Sequence, residues 1–308
     1  MRIIKDTQIN FMSRTFLASC FSAFLLLFGA ISLISNGGPK LSIDFKGGTL
    51  VAVNFTGPVD INNIRSSISS VSMDGQNFDF SKEEIKHFGD ETNIAIRIAS
   101  LEDEPPRFAN RVAESLASVY PNLLPQNKND FILSIDAVSP KVGSELSGDA
   151  ILAILYALGL ILIYISIRFE FKYAVGAIAA LTHDVLITLG IFSILGFEIS
   201  LAVIAAFLTI VGYSLNDTIV IFDRIRENVK NLKGTPLDSV INQSINESLS
   251  RTIVTSLTTF LVVLILFLFG GEVIHTFSFA MIVGVIIGTY SSIFVASPVV
   301  IKMNKKSS

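Results

Sequence analysis

Long apolar blocks alternate with polar segments along the chain, and six of these blocks are long enough to cross a membrane. A helix needs about 20 residues to span the hydrocarbon core of a bilayer. The blocks therefore predict six transmembrane helices, at residues 16–35, 149–168, 173–197, 199–222, 251–271 and 273–301. We interpret the first block as a retained helix and not as a signal peptide, because it is long and rich in Phe and no cleavage site follows it.

The remaining segments are polar, and only one of them is large enough to fold by itself. They cover residues 1–15, 36–148, 223–250 and 302–308. Within 36–148, alternation with period two predicts strands and helical spacing predicts two helices. The strands are expected at 48–55, near 76–80, at 92–99 and at 130–138, and the helices at 59–71 and 105–120. The order β-α-β-β-α-β predicts a small α+β domain of the ferredoxin-like class.

Composition supports the membrane assignment and sets an orientation. The chain is 51% apolar with a mean hydropathy of +0.62, and only 16% of its residues are charged, whereas soluble domains carry about 25%. The tail "KMNKKSS" and the N-terminal Arg2, Lys5 and Arg14 predict two cytoplasmic termini by the positive-inside rule, with residues 36–148 on the other side. The net charge of −3 gives no indication of nucleic-acid binding, and the single Cys20 cannot form an internal disulfide.

Three further patterns concern how the helices and the external domain are placed. In residues 237–249 the apolar side chains share one helical face, which predicts an amphipathic helix that lies at the membrane interface, packs on the bundle, or does both. The sequences "GVIIG" (284–288) and "GAIAA" (176–180) carry small residues four apart, which favours close helix packing. In "DFKGGT" (44–49) and "VSPKVGSEL" (138–146), glycines stand at the two junctions of the external domain, where we expect hinges.

Ionisable residues inside the apolar blocks are the candidates for chemistry. Asp217 is the only charge in 199–222, and a charge at a helix centre costs roughly 2.5–3.5 kcal/mol on translocon scales. In the next block Arg251, Thr255, Thr258 and Thr259 fall on one helical face. If the helices of the fourth and fifth blocks are antiparallel, Asp217 and Arg251 lie at similar depth in the membrane. They can then pair directly or meet through water, and such a pair can also be a static pin that only fixes the helix packing.

The surroundings of this pair favour a proton relay over a static pin. Asn216, Thr255 and Thr258, with Ser214 as a further candidate, supply amide and hydroxyl groups that can hold water near Asp217. His183 and Asp184 stand together in the middle of the third block, where transport and packing are equally good explanations. The sequence shows no nucleophile–His–acid grouping and no metal-ligand spacing, and we interpret His87 as an ordinary histidine of a soluble domain.

Four motifs together resemble one family of export proteins. They are "SIDFKGGT" after the first block, "VGSEL" before the second, "GYSLNDTIVIFDRIREN" in the fourth and "INESLSRTIVTSLTT" entering the fifth. These motifs are similar to those of the SecF family, the smaller partner of SecD in bacterial protein export, and the likeness covers nearly the whole chain. The resemblance implies an RND-like six-helix bundle with a small periplasmic domain.

The resemblance also implies a function and a set of partners. A SecF-like chain forms a complex with SecD, associates with the SecYEG channel and YajC in the bacterial cytoplasmic (inner) membrane, and follows the ATPase SecA in moving unfolded preproteins. It uses the proton gradient as the source of energy, with protons as the coupling ion and no other cofactor, and it is not an enzyme. Asp217 and Arg251 match the family's membrane aspartate and arginine, which are implicated in proton passage.

Two other functions stay open on the sequence alone. One is half of an RND-type proton-coupled exporter of small molecules, although residues 36–148 are short for the paired domains that such exporters use. The other is a structural assembly factor in which Asp217 and Arg251 form a static pin. Loss of the external domain separates the three, because each would lose a different property: export of precursors, drug resistance or partner binding.

Overall fold

The computed structural model describes residues 7–101, 105 and 107–307 of the chain. Arg2 and Lys5, on which the predicted orientation partly rests, lie outside the described residues. The chain separates into two compact units. One is Leu41–Ala150, and the other is formed by the chain before and after it.

Ten helices are found in the described residues, and six of the predicted membrane blocks correspond to helical stretches that are long and apolar enough to span a bilayer. In chain order the helices are α1 (Thr15–Ser35), α2 (Ile43–Lys46), α3 (Ile61–Ser67), α4 (Phe108–Val119), α5 (Pro140–Arg168), α6 (Phe171–Leu195), α7 (Leu201–Asn231), α8 (Leu237–Phe269), α9 (Glu272–Ser291) and α10 (Ser297–Ser307). In the membrane unit, α9 packs along α7 and α8, and α1 packs along α6. The predicted combination of an apolar helical bundle and a small α+β domain is confirmed.

The segment between the fourth and fifth blocks differs from the prediction. Instead of a loop over 223–250, α7 continues to Asn231 and α8 begins at Leu237 and runs unbroken to Phe269. No Gly or Pro interrupts residues 237–269, whereas Gly234 and Pro236 stand in the short connection. The apolar face predicted for 237–249 is buried in the core of the bundle through Val240, Ile241 and Ile245. The amphipathic segment is therefore the first part of α8 and packs on the bundle.

The sixth block is helical over a longer stretch than predicted and contains an irregular turn. Between α9 and α10 the residues Ser292–Ala296 form a π-helical turn. Pro298 stands two residues after this turn, and a proline has no backbone N–H to donate to the preceding turn. Helical structure then continues to Ser307, past the predicted end at residue 301.

Small residues let the membrane helices approach closely. A Cβ atom added to Gly284 would lie 2.2 Å from the Ile210 side chain, and one on Gly288 would lie 3.0 Å from Ser214. The "GVIIG" pattern therefore brings α9 against α7, which confirms its interpretation as a packing motif. A second crossing was not predicted: Gly29 on α1 and Gly190 on α6 face each other, and a Cβ on either would meet the other's Cα at 2.7–2.8 Å.

The chain ahead of α1 is held to α8 by two asparagines one turn apart. Asn246 accepts a hydrogen bond from the Ile9 amide at 2.9 Å and donates to the Ile9 carbonyl at 2.8 Å. Asn242 accepts from the Met12 amide at 3.0 Å. Between these points Phe11 is buried in the core of the membrane unit. Sequence periodicity gave no indication of this contact.

The unit Leu41–Ala150 contains a four-stranded antiparallel sheet in the order β4-β5-β1-β6. A separate hairpin of β2 and β3 lies outside that sheet. The strands are β1 (Gly48–Asn54), β2 (Val71–Met73), β3 (Gln76–Phe78), β4 (Glu84–Phe88), β5 (Asp90–Ile98) and β6 (Ile132–Val138). With α3 after β1 and α4 after β5, this is the predicted ferredoxin-like order, and the core lies between the sheet and the two helices.

One strand of this sheet was predicted at the wrong place. The second core strand is Glu84–Phe88, whereas the strand expected near 76–80 belongs to the small β2–β3 hairpin. The true strand is short and polar, with Lys86 and His87 exposed, so its alternation is weak. Its position is fixed by antiparallel pairing with β5 across the turn at Gly89.

The junction glycines serve close packing inside this unit. Gly47 has φ of +74°, and a Cβ on it would lie 2.8 Å from the Pro140 backbone. Gly143 lies within α5, where a Cβ would meet the Phe45 carbonyl oxygen at 2.8 Å. The segments "DFKGGT" and "VSPKVGSEL" therefore pack on each other, and their glycines are held in place rather than free to act as hinges.

Candidate functional site

Two clusters of buried polar side chains lie inside the membrane unit, one around Asp217 and one around Asp184. Both aspartates are nearly inaccessible to solvent, at 2% and 0% exposure. The helices α7 and α9 contribute to both clusters. Because the interior of such a bundle offers little water, every polar atom there depends on a protein partner or an ordered solvent molecule.

The Asp217 cluster links three helices through hydroxyl groups. Ser256 on α8 lies 3.3 Å from Asp217 Oδ2 on α7. The same Ser256 hydroxyl lies 2.7 Å from the hydroxyl of Thr289 on α9, which in turn lies 2.8 Å from the Val285 carbonyl oxygen of its own helix. The side chains reach one another because α7, α8 and α9 pack in contact.

This row of hydroxyls can be ordered in either direction. When Asp217 is ionised it can only accept, so the protons point from Thr289 to Ser256 and from Ser256 to Asp217. When Asp217 is protonated it can donate to Ser256, which then donates to Thr289, which donates to the Val285 carbonyl oxygen. The Asp217 carboxyl can therefore gain or lose a proton while its bond to Ser256 and the Ser256–Thr289 bond are kept, and the Thr289 bond to the Val285 carbonyl oxygen is made in the protonated form alone.

Arg251 does not pair directly with Asp217. Among the described residues no ion pair joins the two side chains, although Arg251 is near enough to act on the Asp217 carboxylate electrostatically. The Arg251 side chain is exposed on the surface of this single chain. The sequence left open whether Asp217 and Arg251 pair directly or through water, and direct pairing is not found.

The other residues predicted around Asp217 also point elsewhere. Asn216 is exposed, on a different face of α7 from Asp217. Thr255 bonds back to the Arg251 and Thr252 carbonyl oxygens of its own helix, and the exposed Thr258 bonds to Val254 and Thr255. The stripe headed by Arg251 therefore lies on the outer face of the chain, and Ser256 on the neighbouring face makes the contact to Asp217.

The Asp184 cluster is larger and more tightly bonded. Asp184 Oδ2 accepts hydrogen bonds from the hydroxyls of Ser214 on α7 (2.6 Å) and Ser291 on α9 (2.7 Å). Its Oδ1 lies 2.9 Å from Nδ1 of His183. The cluster thus draws α6, α7 and α9 together around one carboxylate.

His183 extends this cluster to α1. Its Nε2 lies 2.9 Å from the Ser22 hydroxyl on α1, which lies 3.0 Å from the Tyr290 hydroxyl on α9. Tyr290 donates to the Ala18 carbonyl oxygen at 2.7 Å. The predicted pair His183–Asp184 is therefore the centre of a network of four helices.

Sequence reasoning missed the partners of both aspartates. Ser22, Ser214, Ser256, Thr289, Tyr290 and Ser291 make the decisive contacts. Each is a single small polar residue or tyrosine in an apolar stretch, a weak signal on its own. The clearest clue was the serine pair at 291–292 in the sixth block. Within residues 7–101, 105 and 107–307, no group of three or more His, Cys, Asp or Glu side chains could hold a metal ion.

Comparison with known proteins finds relatives that cover the whole chain. Residues 121–306 match the family described as "Protein export membrane protein SecD/SecF, C-terminal". Over its full length the chain is 44% identical to the protein translocase subunit SecF of Rhodothermus marinus, covering 97% of that protein. It is 43% identical to SecF of Magnetococcus marinus over 99% of this chain and 94% of the relative.

A solved structure shares the fold. The crystal structure of SecDF, a translocon-associated membrane protein from Thermus thermophilus, superposes with a TM-score of 0.83 and 36% identity over 97% of this chain. The chain spans about two fifths of that longer protein, covering 39% of it. A second structure, of SecDF in the super-membrane-facing form, matches with a TM-score of 0.67.

The apolar helices, the ferredoxin-like unit and the two buried aspartates thus occur in a chain whose full-length relatives are translocase subunits. The chain is a multi-pass membrane protein, and it belongs to the SecF family of the SecD/SecF protein-export membrane proteins.

Proposed function

We propose that this chain works with SecD to draw preproteins across the bacterial cytoplasmic membrane through SecYEG, with the proton motive force as the source of energy. The observation that carries the proposal is Asp217. It is a buried carboxyl in a membrane helix, and its hydroxyl partners can be ordered for either protonation state. Protons are the coupling ion in this scheme, and no other cofactor takes part.

The geometry around Asp217 favours proton exchange over a purely structural role. The one hydrogen bond that it makes within the described part of the chain is 3.3 Å long, beyond the usual range for a charge-assisted bond of about 2.5–2.7 Å between oxygens. A carboxylate that served only as a pin would be expected to have an ion-pair partner, and Arg251 does not provide one in this structure. Asp217 is therefore placed to take up and release a proton, with Arg251 acting on it at a distance.

The exposed stripe on α8 supports a membrane partner. Arg251 and Thr258 are exposed on this single chain although they lie on a helix long and apolar enough to span the bilayer. Charged residues within membrane blocks almost always face other protein or a water-filled cavity, so a second protein surface with water is the favourable neighbour of Arg251. SecD fits this position, because the related SecDF structure contains a chain more than twice the length of this one.

The remaining parts of the scheme come from the family and from charge. YajC and the ATPase SecA are the further proposed partners, with unfolded preproteins as the substrate. Both termini are placed in the cytoplasm and Leu41–Ala150 in the periplasm, since positive residues favour the cytoplasmic side. His183, Asp184, Asn216 and Thr255 are secondary members of the proposed relay, although Asn216 and Thr255 make no contact with Asp217 here.

The test is the substitution Asp217→Asn, which keeps the volume and removes the titratable group. We expect normal assembly with SecD and loss of proton-driven translocation, measured as preprotein uptake into inverted membrane vesicles with and without a proton gradient. Asp223→Asn is the matched control, because Asp223 lies six residues further along α7, is exposed, and pairs with Arg168. Full gradient-dependent uptake by Asp217→Asn would overturn the proposal.

A further inference from the structure

We propose that the His183–Asp184 pair is a second proton-binding site. The pair holds one proton more than a neutral imidazole beside a carboxylate. This proton stabilises the contact between α1 and α9 that Ser22 and Tyr290 make. The inference deepens the proton coupling proposed above and rests on it for its role in transport. The proton itself follows from the directions of the hydrogen bonds in the Asp184 cluster.

The direction of the first bond is fixed by Tyr290. Its hydroxyl oxygen lies 2.7 Å from the Ala18 carbonyl oxygen, and a carbonyl can only accept. Two oxygens at this distance repel unless a proton lies between them, so the single hydroxyl proton of Tyr290 points at Ala18. The two atoms belong to different helices, so no local backbone geometry forces them together. This differs from Thr289, whose contact to Val285 lies within one helix.

The remaining directions follow in sequence. Since Tyr290 has used its proton, the 3.0 Å contact between Ser22 and Tyr290 requires Ser22 to donate. Ser22 then has no proton left for His183, so the 2.9 Å contact requires Nε2 of His183 to carry a proton and donate to Ser22. A neutral imidazole whose only proton is on Nδ1 does not satisfy the network.

The other ring nitrogen needs a proton as well. His183 Nδ1 lies 2.9 Å from Asp184 Oδ1, and one proton must lie on that line, either on the nitrogen or on the oxygen. Asp184 Oδ2 accepts from both Ser214 and Ser291. Counting Nε2–H and this shared proton, the pair as a whole is electrically neutral. It is an imidazolium beside a carboxylate, or an imidazole beside a carboxylic acid.

The charge environment agrees with this count. Asp184 is fully buried and His183 is 6% exposed, and an isolated charge in such a site is costly. Tyr290 from α9 is the titratable group in contact with this cluster, and the nearest acidic residue along α7 is Asp217, three positions beyond Ser214. Helix α1 has no charged residue between Thr15 and Ser35. In the described part of the chain no Lys or Arg pairs with Asp184, so the extra proton is what makes the cluster neutral.

Stacking gives a further contribution. The rings of His183 and Tyr290 have centroids 6.0 Å apart and planes inclined by 27°. A cationic ring over an aromatic face is favoured at about this distance. The same tyrosine thus accepts the hydrogen bond of Ser22 and places its ring beside that of His183.

Release of the proton has a structural consequence. Without a proton on Nε2, the ring nitrogen becomes an acceptor and Ser22 must turn its hydroxyl towards it. Ser22 then no longer donates to Tyr290, and Tyr290 must give up Ala18 in order to reach Ser22. One of the two bonds between α1 and α9 is lost in either case, so the proton acts as a latch between these helices.

The experiment is nitrogen-15 NMR of the full-length chain in lipid vesicles, with only the histidines labelled. The chain has three histidines, and His183→Gln assigns the signals. We expect a protonated Nε2 on His183 at neutral pH, together with an Nδ1 that either carries a proton or accepts one from the Asp184 carboxylic acid. Tyr290→Phe removes the acceptor of the Ser22 proton, which frees Ser22 to donate to Nε2, so a smaller fraction of Nε2 should be protonated at the same pH.

Controls and a second variant keep the test decisive. Tyr156→Phe makes the same chemical change at an exposed tyrosine on α5, and it should leave the His183 signal unchanged. If Tyr290→Phe does not fold, Ser22→Ala takes its place. It removes the acceptor of the Nε2 proton, so a smaller fraction of Nε2 should again be protonated. A non-protonated Nε2 in the unsubstituted chain, or a protonated fraction that neither variant lowers, would overturn the inference. No transport is measured, so the result stands apart from that of Asp217→Asn.

Discussion

At the scale of single residues, the two buried aspartates differ in how firmly they are held. Asp184 makes three contacts of 2.6–2.9 Å to side chains on α6, α7 and α9. Asp217 has one contact of 3.3 Å, to Ser256. A carboxyl with many short bonds loses more by moving than one with a single long bond. Asp184 is therefore suited to joining helices, and Asp217 to exchanging a proton.

Removal of the Ser256 hydroxyl should slow transport without abolishing it. In Ser256→Ala, Asp217 loses the one hydrogen bond that it makes to the described residues and the connection to Thr289, so proton uptake depends on water. We expect a reduced rate of gradient-dependent uptake into vesicles, with normal amounts of the complex. Thr209→Val is a suitable control, because the Thr209 hydroxyl on α7 is bonded only to its own helix. Equal rates for the Ser256 variant and the unsubstituted chain would show that the hydroxyl row carries no proton.

Asp90 allows a prediction of pH dependence outside the membrane. Hydrogen bonds from the Thr92 hydroxyl and then the Thr92 backbone amide lower the pKa of Asp90 below its ordinary value. A carboxyl with a lowered pKa in the folded state contributes stability above the pKa of the unfolded chain, and that contribution is lost as the pH falls through the folded pKa. The acid side of the stability curve therefore depends on Asp90.

The measurement is the thermal midpoint of the fragment Leu41–Ala150 between neutral and acid pH. We expect Asp90→Asn to show a shallower fall of the midpoint below about pH 4, the region where an unperturbed Asp titrates. Thr92→Val should behave in the same direction, because it removes the first of the two donors. Parallel curves for the substituted and unsubstituted fragments would contradict the assignment.

Residue chemistry could be predicted from the sequence only where one side chain stands out against its neighbours. Asp217, His183 and Asp184 are polar in apolar blocks, and all three are buried in polar clusters. Their partners could not be identified, because a contact such as Ser22 with His183 joins residues 161 positions apart. Arg251 was assigned to the Asp217 side from depth alone, and depth does not fix the rotation of α8 about its own axis.

At the scale of elements, glycine positions decide which helices can touch. Gly29 and Gly190 bring the backbones of α1 and α6 together, and Gly284 accommodates Ile210 between α9 and α7. These contacts place Ser22 near His183 and Ser214 near Ser291, since the residues belong to the same helix pairs. The Asp184 cluster can therefore form only because these helices pack closely.

Gly190→Ala should separate α1 from α6. The new Cβ would lie 2.7 Å from the Gly29 Cα atom, so a backbone has to move, and overpacking of this kind costs typically about 1–3 kcal/mol. We expect lower thermal stability of the purified protein in detergent. Gly212→Ala is the matched control within a helix, since its Cβ would meet nothing within 4 Å, and it should be neutral or slightly stabilising. Equal stability of both variants would mean that the crossing tolerates expansion.

The order of the elements was easier to predict than their ends. Period-two alternation and long apolar blocks identified the sheet class and the spanning helices, because these patterns arise from burial on one face or all round. The second core strand was not predicted, because Glu84–Phe88 shows little alternation of apolar and polar residues and is defined by its pairing with β5. The continuity of α8 was not predicted, because residues 237–249 were interpreted as a separate amphipathic helix ahead of the membrane span, whereas one helix can have a polar first part with one buried face and an apolar second part.

At the scale of the whole molecule, the chain consists of a membrane unit and the unit Leu41–Ala150, and the boundaries fall at two points. The first lies just after Gly37 and Gly38, whose φ angles are +71° and +117° and where a Cβ would meet nothing within 4 Å. The second lies inside α5, which runs without interruption from Pro140 to Arg168. The joints between the units are therefore at these points and not at Gly47 or Gly143, which are fixed by packing.

If transport requires the two units to move relative to each other, α5 has to bend near the boundary at residues 150–151. Gly148 lies two residues before it, and a Cβ there would meet nothing within 4 Å. Gly148→Ala therefore changes no packing contact but makes the helix less easily deformed, since glycine is about 1 kcal/mol less favourable than alanine in a helix interior. We expect normal assembly and stability, with slower gradient-dependent uptake into vesicles. Gly159→Ala provides the control on the same helix, because it also has open space around it and lies away from the boundary. A transport rate for Gly148→Ala equal to that of Gly159→Ala would show that α5 does not bend at Gly148 during the cycle, and motion of the two units would then require a bend elsewhere in α5.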